Sequence, residues 1–418
     1  MPDFLTLKTA AEMLELIELF EPLGSEVLSA GDSYGRILAE PFLAPADLPG
    51  FDRSTVDGFA VRAKDVFGAS EGLPAALTYL GECPMGGRPD ITVKSGQTAR
   101  ISTGGMLPRG ADAVVMLEYA RLPPGDRPVP LNSLIELTRP LAPGDNVILA
   151  DEDARRGQEL IKAGQVLRAP ELGLLAALGQ ETVPVRLKPA VAIMATGDEV
   201  VDIKTTPRPG QVRDINTQTI KALVTASGGT AVALGLVPDS LDSLIACVQK
   251  ALSLARIVVI TGGSSAGQRD FTLKALAAIE GSRILAHGVA VSPGKPLILA
   301  KLGQKSLWGL PGHPAGALVA AEIFLKPLIR RLTGQIQPVW PLGLKAVLSR
   351  PLASAQGRRD YFRVSLSRPE PSGPLVATPI LGKSGLISTL VGAEALAVCP
   401  EEQEGLSAGS SVSIEILT

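Results

Sequence analysis

Ala190-Val191-Ala192-Ile193-Met194-Ala195-Thr196-Gly197-Asp198-Glu199 is the stretch on which the reading of this chain turns. Six apolar residues in a row form a short strand of the kind buried on both faces, and a glycine and two acids follow at its carboxyl end. Beyond it the pattern alternates. Helices are expected over 217–227, 241–254 and 271–279, and strands over 231–236 and 257–261. Short strands at 297–300 and 306–309 precede a long helix over 315–332. Such alternation predicts a three-layer α/β domain with a mostly parallel sheet, spanning about 188–333.

The flanks differ in style. Residues 7–19 carry Leu and Ala at helical spacing, an amphipathic helix, and a second helical run covers 170–178. From about 46 to 146 the chain is built of short β-like runs such as 113–116 and 134–137, with Pro123, Pro124, Pro128 and Pro130 marking a loop. Residues 334–418 return to short strands with Gly and Pro turns. At 418 residues the chain is too long for one core and is expected to divide into several domains.

Composition narrows the function classes. Hydrophobic content of 45% and charged content of 20% describe an ordinary globular protein. A net charge of −2 offers nucleic acid no bulk attraction. Cys83, Cys247 and Cys399 are far apart and outside any CxxC pair, which argues against a disulfide framework and a zinc site. With only His287 and His313, a three-histidine metal site is impossible and a Ser-His-Asp triad unpersuasive. No signal peptide or membrane-length apolar run is visible, so the expectation is a cytoplasmic protein without a membrane partner.

In open α/β sheets ligands collect at the carboxyl ends of strands. Of four glycine-bearing loops, Thr196-Gly197-Asp198-Glu199 and Gly262-Gly263-Ser264-Ser265-Ala266-Gly267 follow the strands at 190–195 and 257–261, and Pro293-Gly294-Lys295-Pro296 and Pro311-Gly312-His313-Pro314 join them. Glycine turns bind phosphate through backbone N–H groups, and carboxylates beside phosphate repel it unless a cation intervenes. Glu199, Asp214, Asp270 and Asp57 are such carboxylates, and their hard oxygens suit Mg²⁺. Each has a plainer reading. Asp270 and Asp214 precede helices and are natural N-caps; Lys295 is a stiffly presented loop cation or a solvated lysine. His313 reads as a loop residue or hydrogen-bonding wall rather than a base. Thr103 lies in the turn Ser102-Thr103-Gly104-Gly105, and Asp153 in Asp151-Glu152-Asp153.

Taken in order, these segments resemble the molybdopterin molybdenumtransferase family, related to the gephyrin E domain. The resemblance runs through Ser54-Thr55-Val56-Asp57-Gly58-Phe59-Ala60, Thr103-Gly104-Gly105, Pro108–Val115, Ala195–Glu199, Asp214-Ile215-Asn216, Thr261–Asp270, Pro293–Pro296, Gly309–Pro314 and Gly357-Arg358-Arg359-Asp360-Tyr361-Phe362-Arg363. It implies insertion of molybdate into adenylated molybdopterin with release of AMP and a Mg²⁺ requirement. It also implies an elongated N-terminal domain (1–45 and 147–187), an inserted β-rich domain (46–146), the α/β domain (188–333) and a C-terminal β-barrel (334–418). The family assembles as homodimers whose cleft is shared between subunits, with molybdopterin adenylyltransferase and molybdoenzyme-maturation proteins as candidate partners.

By this resemblance Asp57, Thr103, Asp153, Glu199, Asp214 and Asp270 are catalytic, with Glu199, Asp214 and Asp270 holding Mg²⁺. Substrate binding falls to Gly262, Gly263, Ser264, Ser265, Gly267, Ser292, Lys295, Pro311, Gly312, His313 and Pro314. Two positions depart from the family: Ser292 stands where lysine is common, and His313 where asparagine is frequent. The alternative reading is a non-catalytic pterin- or nucleotide-binding protein, or a scaffold, on the same fold.

Overall fold

Every residue of the strand Ile257–Thr261 is buried, as are six of the seven in Ala190–Thr196. Successive side chains of a strand point to opposite faces, and here both faces are covered. Val191, Ile193, Ile257 and Val259 join one apolar cluster, while Ala192, Met194, Val258 and Ile260 join the other. Helix Asn216–Ala226 and the long helix starting at Pro314 seal the first face, and helices Leu241–Leu254 and Phe271–Ala278 the second. In the computed structural model, which describes residues 7–124, 128–262, 271–336 and 343–417, this three-layer sandwich is the centre of the larger of two compact units. That unit comprises Met1–Glu40, Ala163–Arg168 and Val183–Thr418; the other comprises Pro41–Lys162 and Ala169–Thr182.

The sheet runs Thr230–Val237, Ala190–Thr196, Ile257–Thr261, Lys305–Leu310, Ile298–Leu302, Arg283–His287. The first three pairings are parallel and the last two antiparallel. Only Ile298–Leu302 runs against the rest. Thr230–Val237, next in the chain among these strands, lies on one side of Ala190–Thr196 and Ile257–Thr261 on the other, so the connections reverse direction there. That is a topological switch point, where the loops at the strand ends diverge and leave a crevice.

The long helix differs from its expected regular form. It is α-helical over Pro314–Ala320, takes a π turn over Ala321–Leu325, and is α-helical again over Lys326–Leu332. Pro327 explains the interruption: it has no N–H to give and its ring would press on the carbonyl four residues back. A π turn immediately before it widens the spiral.

Helix Ala10–Ile17 begins with a reciprocal capping box, in which the Thr9 hydroxyl accepts from Glu12 N and the Glu12 carboxylate from Thr9 N. Its buried face, with Met13 and Ile17, joins the first cluster. Near the carboxyl end of the long helix, Leu23 N donates to Leu332 O (2.8 Å) and Arg331 Nε to Phe20 O (3.2 Å).

At the carboxyl-terminal end, Arg359–Ser367 pairs with both Val376–Pro379 and Ala395–Cys399. Leu344–Leu348 and Ser411–Ile416 complete the circuit, closing a five-stranded barrel. A two-residue strand of the α/β half, Val291–Ser292, pairs in parallel with Arg359–Asp360 and ties the barrel to the Gly294 loop. Tyr361, Leu390 and Leu396 of this region belong to the same apolar cluster as the α/β helices.

The other unit holds a six-stranded mixed sheet, ordered Ala113–Met116, Gly58–Val61, Gln97–Ile101, Ala75–Glu82, Leu134–Leu137, Ala120–Arg121. Phe59 and Tyr79 meet edge to face at 6.3 Å in its larger cluster. No helix among the described residues is long and apolar enough to cross a membrane.

Candidate active site

At the switch point the end of Ile257–Thr261 turns sharply. Gly262 has φ of +95°, and a Cβ there would stand 2.2 Å from the carbonyl oxygen of Thr196 on the neighbouring strand. Only glycine lets the two strand ends lie so close. Gly262→Ala is therefore expected to cost about 2 kcal/mol or more, combining a disfavoured φ with a backbone clash. Chemical denaturation would read the loss. Gly263, Ser264, Ser265, Gly267 and Asp270 lie outside the described residues.

Glu199 and Asp214 flank two short parallel strands, Val200–Val201 and Val212–Arg213, Glu199 just before the first and Asp214 just after the second. Val212 N donates to Glu199 O (2.8 Å) and Asp214 N to Val201 O (2.9 Å). Glu199 is exposed, whereas Asp214 is buried and its Oδ1 accepts from Thr217 N at 3.0 Å, capping helix Asn216–Ala226. Asp214 Oδ2 takes no part in that cap. Beside it, Asn216 Nδ2 donates to Gly312 O (2.9 Å), which joins the helix start to the loop after Lys305–Leu310. Asn216 Oδ1, Thr217 Oγ1 and Thr261 Oγ1 are buried without a hydrogen-bond partner among the described residues. Among the described residues no three His, Cys, Asp or Glu side chains group closely enough to hold a metal ion.

A pocket of about 630 Å³ opens between the Gly294 loop, the start of the long helix and the barrel. Its loop is pinned by Lys295 O, which accepts from both Val289 N and Leu297 N at 2.9 Å. Gly294, at φ +123°, rests against the helix at Gly316 and Ala320, where a larger residue would push it away. Ser292, Lys295, Pro311 and His313 line this pocket. Lys295 and His313 are exposed; His313 Nδ1 lies 3.1 Å from Ser384 Oγ, and Ala315 N donates to Ser384 O (3.0 Å). Pro314 occupies the first helical turn, where a missing N–H costs nothing.

From the barrel side come Arg358, Asp360, Arg363 and Ser384, four residues to which the sequence reading assigned no role. Arg363 donates to Thr389 Oγ1 (2.8 Å) and to Gly382 O. Burial holds its guanidinium below the ordinary value, although arginine stays charged at any physiological pH. Burial, then the nearby Glu415 charge, pushes the Tyr361 phenol up to about 12, so it lines the wall as a neutral hydroxyl. The sequence signal was present: two arginines and an aspartate break an otherwise barrel-like strand.

Asp57, Thr103 and Asp153 belong to the other unit. Asp57 and Thr103 meet, with Asp57 Oδ1 accepting from Thr103 N at 2.8 Å. Both are exposed, and Gly104 N donating to Ser54 O (2.8 Å) fixes the turn beside them. Asp153 is also exposed, and its N donates to Leu48 O (2.9 Å).

Three family descriptions match consecutive parts of the chain: MoeA N-terminal region (domain I and II) over 5–179, probable molybdopterin binding domain over 192–331, and MoeA C-terminal region (domain IV) over 345–417. The molybdopterin molybdenumtransferase of Bacillus subtilis is 33% identical over 394 residues, covering 94% of this chain and 90% of the relative. That of a Nostoc species is 34% identical over 393 residues, covering 93% and 88%. The chain belongs to the MoeA family. A crystal structure of the molybdopterin biosynthesis MoeA protein of Pyrococcus horikoshii superposes with a TM-score of 0.80 at 33% identity, covering 98% of this chain and 99% of that one.

As a MoeA protein the chain has no reactive thiol in its described pocket. Cys83 is buried in the smaller unit, and burial, then the Glu82 charge, pushes its thiol up to about 11. The nucleophilic thiolate is scarce below that pH. Native protein at pH 8 should leave Cys83 unlabelled by iodoacetamide, with full labelling in denaturant; mass spectrometry of the tryptic peptide checks this.

Proposed function

We propose that this chain inserts molybdate into adenylated molybdopterin, releasing AMP, as a molybdopterin molybdenumtransferase. The observation that carries the reading is the pocket shared by the Gly294 loop and the barrel. Lys295 and Arg363 both line it, and neither has a carboxylate partner among the described residues. Two uncompensated cations suit a tetrahedral dianion. Its volume of about 630 Å³ leaves room for the body of a larger substrate beside the anion. The names of the relatives, which match almost the full chain, support the same substrate class.

The reaction breaks the P–O bond between the pyrophosphate bridge and the adenylyl group, with water or a molybdate oxygen supplying the replacement oxygen, and AMP leaves. Glu199 and Asp214 offer the hard oxygens that Mg²⁺ prefers, from either end of the paired segments 200–201 and 212–213, with Asp214 oriented by its cap and the orphaned Asn216 Oδ1 and Thr217 Oγ1 following it in the chain. Bound there with Asp270, Mg²⁺ would neutralise charge on the departing phosphate. Lys295 would hold oxyanion oxygens, and backbone N–H groups at 263–267 would meet phosphate, that of Gly262 being given to Leu310 O (3.2 Å).

Asp57, Thr103 and Asp153 would act in a homodimer, the smaller unit of one chain completing the site of its partner. Three unbridged cysteines accord with a cytoplasmic protein. The test is to incubate purified protein with adenylated molybdopterin, Mg²⁺ and either molybdate or tungstate, then measure AMP and metal-loaded cofactor. Oxyanion-dependent AMP release is expected; folded protein that gives none overturns the reading.

A further inference from the structure

Arg358 and Asp360 stand at the pocket wall as a pair whose construction the proposed reaction leaves unexplained. The Asp360 side chain is 4% exposed, and that of Arg358 is 45% exposed. Asp360 Oδ1 contacts Arg358 Nε at 2.9 Å, and Oδ2 accepts from Arg358 Nη2 (3.1 Å) and from Ser354 Oγ (2.8 Å). Burying a carboxylate is costly, and a surface arginine needs no such partner to remain soluble. One hydrogen bond, from Nη2, and the close Nε ion-pair contact hold the guanidinium along its Nε–Nη2 edge, and Nη1 has no partner among the described residues.

We propose that Asp360 is a positioning residue: it fixes Arg358 over the pocket as a directed donor to the anionic substrate, and not as added charge. The pair is neutral overall, so Coulomb attraction comes from Lys295 and Arg363 while Arg358 contributes orientation. A planar guanidinium held on one edge presents its other edge to an oxyanion in a fixed plane. Asp360 lies on the barrel strand that pairs with Val291–Ser292. Arg358 is thereby held in register with the loop bearing Lys295. The inference rests on the pocket being the oxyanion site.

The sign of one effect separates this from plain electrostatics. Asp360→Asn removes a negative charge from an anion site, which by Coulomb's law alone should tighten binding. Positioning predicts the opposite. In calorimetric titration of the full-length protein with molybdate alone, Asp360→Asn should weaken binding about tenfold, and Arg358→Lys, which keeps the charge but loses the fork, by a similar factor. The double variant should be no weaker than Arg358→Lys within about twofold. Tighter or unchanged binding by a folded Asp360→Asn protein overturns the proposal. If Asp360→Asn fails to fold, Arg358→Lys decides, because its side chain is half exposed: unchanged affinity sinks the idea. Lys295→Ala and Arg363→Ala serve as the control. Should neither weaken molybdate binding, the pocket is not the oxyanion site and both readings fall together. Should they weaken it while Asp360→Asn and Arg358→Lys do not, only the positioning role is lost.

Discussion

Glu199→Gln is expected to slow AMP release by about a hundredfold or more while the protein melts close to the wild-type temperature. Glutamine keeps the size and one oxygen of the side chain but removes the charge that a hard divalent cation prefers. Glu199 is exposed, and its fixed contact is through the backbone, where Glu199 O accepts from Val212 N. Surface substitutions of this kind usually change stability by less than about 0.5 kcal/mol. The activity loss should ease as Mg²⁺ is raised, because a weakened ligand set is refilled by mass action. A drop of many degrees in melting temperature with unchanged activity per folded molecule would mark Glu199 as structural instead.

Two inactive subunits are expected to restore each other. If Asp57 of one chain serves the site that holds Glu199 of its partner, an Asp57→Asn subunit paired with a Glu199→Gln subunit has one cleft with both native carboxylates and one with neither. Random pairing makes half the dimers mixed, and each mixed dimer has one working site of two. Co-expression should then return up to roughly a quarter of wild-type activity, while each variant alone stays inactive. Mixed dimers, isolated through two different affinity tags, that prove no more active than either parent would place the two residues within one chain's site or in no common site.

How much of this was legible in the sequence depends on how each segment is buried. The strand at 190–195 could be read directly because burial on both faces removes polar residues from it, and the strands at 113–116 and 134–137 took those bounds as expected. Arg283–His287 escaped notice: it sits at the sheet edge, is half-exposed along much of its length, and begins with arginine. The π turn was hidden because an apolar periodicity over 315–332 dominates the pattern, and Pro327 reports a defect without saying how it is absorbed. The plain expectation that Asp214 caps a helix is met by its Oδ1. The barrel side of the pocket was the least visible. The charges within Arg359–Ser367 mark that strand as unusual, but what Asp360, Arg363 and Ser384 face is set by the strand pairings and turns that close the barrel, which no local spacing encodes.

The larger unit is discontinuous: it includes the first helix, is left for the smaller unit, returns briefly over Ala163–Arg168 and is resumed at Val183. On the ribosome this imposes a wait. Phe20 O meets Arg331 Nε across 311 residues of chain, which at the usual speeds of translation is roughly 15–60 s of synthesis. Until the long helix is made, Met13 and Ile17 of the first helix and Phe20 just beyond it lack part of the apolar cluster that buries them, whereas the smaller unit can finish early. The nascent chain therefore carries an incompletely covered amphipathic segment for tens of seconds, a natural foothold for a holding chaperone.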